Sequence, residues 1–91
     1  MADWTVYIVE SDRGALYTGI TTSVARRLAE HGGQGGRGAR FFRFGQPRRL
    51  LYVESVADRG GALRREAQIK RLDRRAKLML IAAHAAAAAP R

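Results

Sequence analysis

The sequence predicts a small α/β sandwich: a three-stranded, mainly antiparallel sheet flanked by about three helices in the order β-β-α-β-α-α. Three observations carry this. Two short β-rich stretches, "WTVYIV" and "ALYTG", are separated by the turn-forming "SDRG". A third β-rich run, "RRLLYVESV", follows a glycine-rich interval. The last third of the chain is alanine-, leucine- and arginine-rich with helical spacing of its apolar residues. At 91 residues the chain has room for one core.

The elements follow in order. Trp4–Val9 is a strand, and with Ala15–Gly19 it forms a hairpin over residues 4–19. Thr21, Thr22 or Ser23 can cap a helix running to about His31, with Val24 and Leu28 on its core stripe. "HGGQGGRGAR", with five glycines, cannot be regular structure and reads as a loop. "FFRFGQP" leads into the third strand, about Arg49–Ser55. A second helix is expected from Gly61 to about Leu72, and a third, capped by Asp73, from Arg74 to about Ala83. Leu72, Ala76 and Leu80 share one face. Residues 1–83 form the domain, and the alanine-rich tail, 84–91, is expected to fray because it has nothing to bury.

Charge is the strongest compositional signal. Seventeen Lys+Arg against eight Asp+Glu give +9. The basic residues fall mainly between Arg26 and Arg49 and between Arg59 and Lys77, and nearly all are arginine, whose planar fork suits phosphate oxygens. Clustered charge of this size points to a polyanion, most often nucleic acid, although a merely solvated arginine-rich surface has the same composition. The absence of cysteine excludes disulfides, zinc ribbons and thiol catalysis and fits a reducing compartment. No apolar run approaches the roughly 20 residues of a membrane span. "MADWTVYIVE" lacks the basic and small-residue regions of a signal peptide. A cytoplasmic protein is expected.

Few residues could do chemistry. Tyr17 alternates with Leu16 and Thr18, so it faces the opposite side of its strand, with Tyr7 nearby across the hairpin. A phenol with pKa near 10 needs neighbouring positive charge to serve as a base, and cross-strand aromatic pairs also occur simply as scaffold. Gly19, at the end of the second strand, permits close backbone approach or a positive φ. Arg27 and His31, four apart, share a helix face on which Arg27 could clamp a phosphate or pair with Glu30. In "ALRREAQIKRL", Glu66 has Ala62 and Ile69 as helical neighbours. A carboxylate there must be paired or hold a cation: either a largely hydrated Mg²⁺, or Lys70 at i, i+4. No Ser-His-Asp set, Walker loop or His/Asp cluster competes, and His84 stands isolated with no expected role.

Taken together, the blocks resemble a GIY-YIG nuclease domain, in particular the small stand-alone bacterial YhbQ/YazA-type members. "VYI" at Val6–Ile8 corresponds to the first motif and "YTG" at Tyr17–Gly19 to the second. Arg27 and His31 fall at the family's helix positions, "GRGAR" resembles its glycine-rich loop, and Glu66 matches its metal-binding glutamate. The resemblance spans about residues 4–81. Two positions depart from it: the first motif reads Val-Tyr-Ile, and Ile20 follows Gly19 where some members carry lysine. No late asparagine of the kind larger members use near the metal is found.

The resemblance implies a Mg²⁺- or Mn²⁺-dependent phosphodiesterase, endonuclease or exonuclease, on a GIY-YIG-type sandwich in the bacterial cytoplasm. Tyr17 would activate or position the attacking water, Tyr7 would support the site's geometry, and Arg27 would stabilise charge on the phosphorane. His31 would assist Tyr17 or bind phosphate, and Glu66 would hold the single metal. DNA, single-stranded or branched, is the expected substrate in repair, recombination or uptake; RNA and a specificity-giving protein partner remain open. Gly19, Arg26, Arg37, Arg40, Arg43 and Lys70 would contact nucleic acid, and Phe41, Phe42 and Phe44 would either stack on unpaired bases or belong to the core. A catalytically weak or inactive nucleic-acid-binding module on the same fold is the alternative.

Overall fold

The computed structural model describes residues 3–31 and 47–88, the side chains of residues 30, 31, 47 and 88 excepted. Its elements are β1 (Trp4–Ser11), β2 (Leu16–Thr21), α1 (Val24–His31), β3 (Pro47–Val56), α2 (Arg59–Lys70) and α3 (Arg74–Ala88). The order is the expected β-β-α-β-α-α. The sheet runs β2-β1-β3, antiparallel throughout.

The hairpin closes on Ser11. Its Oγ accepts from the N–H groups of Arg13 (3.2 Å) and Ala15 (3.1 Å), while its own N–H donates to the Ala15 carbonyl. Gly14 completes the turn at φ 80, a conformation that side chains disfavour. This sets the register Val9↔Tyr17 and Tyr7↔Gly19, on which the site depends.

β1 is the central strand, and Val6, Tyr7, Ile8 and Val9 are all buried. Val6 and Ile8 face the core shared with Tyr52, Ala62 and Ile69, bordered by Trp4, Leu16, Ile20, Val56, Leu80 and Ile81. Tyr7 lies on the other face of the strand. The two departures from the family pattern thereby gain a structural role: Val6 pairs with Ile20 across the ladder, and both pack at the core.

Helix starts follow local capping. Ser23 accepts from the Arg26 N–H (3.3 Å), which makes it the cap of α1 among the three candidates. Asp73 accepts from Ala76 (2.8 Å), as expected. α2 begins two residues earlier than the sequence suggests, because Asp58 accepts from Gly61 (2.7 Å) and recruits Arg59 and Gly60 into the first turn. Val24 and Leu28 are half-buried and stand outside the main core cluster, and Leu72 is exposed. α3 runs on to Ala88, past the end expected near Ala83. Alanine favours helix, and His84, expected to be idle, packs its ring 4.8 Å from that of Tyr52.

Candidate active site

The site is built where β1, β2, α1 and α2 meet. The Tyr7 and Tyr17 ring centroids lie 6.3 Å apart, tilted by 46°. They reach each other diagonally: Tyr7 pairs with Gly19 and Val9 with Tyr17, which puts both rings on the sheet face opposite Val6 and Ile8. Gly19 makes the approach possible. A β-carbon there would stand 2.6 Å from the Tyr7 hydroxyl and 3.1 Å from the Tyr17 ring.

α1 turns Arg27 toward this pair. Its guanidinium hydrogen-bonds both phenols, donating to their oxygens. Burial works against its charge, but the bonds to Tyr7 and Tyr17 outweigh that effect and hold the guanidinium pKa above its usual value. For Tyr7, burial dominates. It pushes the phenol up to about 12 against the opposing hydrogen bond from Arg27, with Tyr17 and Glu66 adding to the rise. Tyr7 is therefore a neutral phenol at physiological pH, suited to donating a hydrogen bond rather than to taking a proton.

Glu66, on α2, is close enough to act on Tyr7 electrostatically. Its side chain is 18% exposed, and Oε2 lies 3.3 Å from Lys70 Nζ. Of the two sequence readings of Glu66, the i, i+4 pair with Lys70 is present, and so is proximity to the tyrosines. Among the described residues no three His, Asp or Glu side chains converge. The donor set is thus one carboxylate, half engaged by an exposed lysine. This cannot cage an ion, but it suits a hard divalent cation that keeps most of its water and takes its other ligands from a phosphate.

Tyr7, Tyr17, Gly19, Arg27 and Glu66 are brought together. Arg26 is exposed on α1 beside them, and Lys70 is tied to Glu66. The His31 side chain, and Arg37, Arg40, Arg43, Phe41, Phe42 and Phe44, lie outside the described residues. Sequence reasoning did not find Trp4 and Arg59, which line a cleft that shares Arg27 with this site. Asp58 before "RGG" could have revealed Arg59 as the first residue of α2.

A tyrosine pair, an arginine and a helix-borne glutamate around a strand that carries Gly19 in its interior, not at its end as the sequence suggested, define a GIY-YIG domain, and residues 3–79 match the GIY-YIG catalytic domain. The chain belongs to that family of nuclease domains. It is similar to the UPF0213 protein of Pseudomonas aeruginosa, 49% identical over 78 residues that cover 86% of this chain and 73% of the relative. It is also similar to the UPF0213 protein YhbQ of Salmonella typhimurium, 43% identical over 81 residues covering 89% and 79%. The solution NMR structure of a UPF0213 protein from Bacillus halodurans superposes with a TM-score of 0.56 at 38% identity, covering 88% of this chain and 83% of that one. Among the described residues no helix is long and apolar enough to cross a membrane.

Proposed function

We propose that the chain is a Mg²⁺-dependent phosphodiesterase that cuts single-stranded or branched DNA in repair, recombination or DNA uptake. The observation that carries this reading is the Tyr7–Arg27–Tyr17 cluster with Glu66 beside it. Tyr17, half-exposed and held at its oxygen by Arg27, positions or activates the attacking water. Tyr7, fully buried, keeps its own proton and supports the site's geometry through its bond with Arg27. Arg27 is already charged and fixed, so it stabilises negative charge on the phosphorane without reorganising. His31 assists Tyr17 or binds phosphate. Glu66 would hold the Mg²⁺, whose Lewis acidity favours departure of the 3′ oxygen. Arg37, Arg40 and Arg43 track the backbone, which makes affinity fall with salt.

The test is cleavage of end-labelled single-stranded, duplex and branched DNA, and of RNA, with Mg²⁺ or with EDTA. Metal-dependent cutting that favours unpaired or branched DNA is expected. Salt-sensitive binding without cutting of any substrate would instead make the chain a nucleic-acid-binding module on this fold.

A further inference from the structure

Beside the tyrosine pair, the end of the β1–β2 hairpin and the first turns of α1 and α2 enclose a cleft of about 470 Å³. Trp4, Thr21, Thr22, Arg26, Arg27 and Arg59 line it together with Ile20, and among the described residues no acidic side chain does. Three guanidinium groups therefore border one concavity with hydroxyl groups between them. Among the described residues, the ion pairs of Glu10, Glu54 and Glu66 go to Arg49, Arg65 and Lys70 and leave Arg26 and Arg59 out. Arg59 is placed rather than loose: its guanidinium carbon sits 5.9 Å from the centre of the Trp4 ring. Arg27 belongs both to this cleft and to the tyrosine cluster. Whatever anion fills the cleft is thus adjacent to the reacting centre.

We propose that this cleft is a second phosphate subsite, which grips the nucleic-acid backbone at a phosphate next to the scissile one through Arg26 and Arg59. It rests on the nuclease reading for the identity of the strand. Arg27 serves the scissile phosphate, and Arg26 and Arg59 set the direction in which the strand leaves the site. Trp4 holds Arg59 over the cleft. A neighbouring phosphate bound in this way fixes register along the strand without reading sequence.

Trp4 is the single tryptophan of the chain, so its fluorescence reports on this cleft alone. Wild type, Arg26→Ala, Arg59→Ala and Arg75→Ala, the last on the exposed start of α3, are titrated with fluorescein-labelled oligothymidylate in EDTA over a range of salt. Label anisotropy and Trp4 emission are both followed. Binding should change Trp4 emission saturably. Arg26→Ala and Arg59→Ala should each flatten the log affinity versus log salt slope by about 0.7–1, one phosphate contact, while Arg75→Ala should leave it nearly unchanged. Binding seen by anisotropy with Trp4 emission unmoved overturns the subsite, as does an equal loss in Arg75→Ala, which means diffuse charge. The same preparations are then given Mg²⁺. Absence of cleavage with the Trp4 and slope effects intact sinks the nuclease reading and leaves the subsite standing. Cleavage with those effects missing does the reverse, and absence of any binding overturns both.

Discussion

The Tyr7 ring lies across Gly19 so closely that a β-carbon at residue 19 would sit 2.6 Å from its hydroxyl and 2.7 Å from the ring carbon that bears it. Tyr7 is fully buried and cannot swing away. Gly19→Ala should therefore destabilise the fold by about 1–3 kcal/mol, the usual cost of overpacking, and lower activity by moving the phenol. Denaturant melts in a double-mutant cycle check this. Tyr7→Phe removes the oxygen that the new methyl meets, so the pair Tyr7→Phe/Gly19→Ala should cost less than the sum of its parts. Strict additivity would contradict the close packing.

Tyr7 also predicts a pH dependence. An unfolded tyrosine ionises near pH 10, whereas folded Tyr7 holds its proton to about 12. Below pH 10 both states carry the proton. As pH rises from about 10 to about 12, the unfolded chain ionises first and stability falls, by up to about 1.4 kcal/mol per unit. Tyr7→Phe should show a shallower decline over that window in chemical denaturation at stepped pH. Some slope should persist, because burial together with the bond to Glu54 also raises the Tyr52 pKa.

Arg27→Lys keeps a positive charge but cannot reach two phenol oxygens with a planar fork. It should reduce kcat about 10²–10³-fold, the usual loss of a transition-state donor, with a smaller change in KM. A variant with full kcat would remove Arg27 from the chemistry.

On the proposed reading, Lys70 would compete with the divalent cation for Glu66. The pair is largely exposed on the lysine side, so it is worth about 0.2–1 kcal/mol. Lys70→Ala should lower the Mg²⁺ concentration for half-maximal cleavage about 1.5- to 5-fold, read from activation curves. A higher Mg²⁺ requirement would mean that Lys70 acts on the substrate.

Much of this was legible in the sequence because it depends on local order. The Ser11–Gly14 turn fixes the hairpin, and the hairpin's alternation puts Tyr7 and Tyr17 on one face. Helical spacing puts Arg27 on α1 and Glu66 next to Lys70. What was not legible depends on docking between distant segments. Arg65 reaches Glu54 at 2.9 Å only because α2 crosses β3, where the same carboxylate also accepts from its strand neighbour Tyr52. Trp4 meets Arg59, and His84 meets Tyr52, through the same packing. Arg74 ties α3 to the hairpin by donating to the Gly14 carbonyl at 2.9 Å, a bond across 60 positions that no spacing rule anticipates.

The central claim is that Glu66 and the tyrosine–arginine cluster form one hydrolytic site. The most direct measurement runs purified wild type and Glu66→Ala side by side on end-labelled branched DNA with Mg²⁺, with binding followed by anisotropy in EDTA. Loss of cleavage in Glu66→Ala with binding retained is the predicted result. Cleavage that survives the substitution at the wild-type rate would contradict the account.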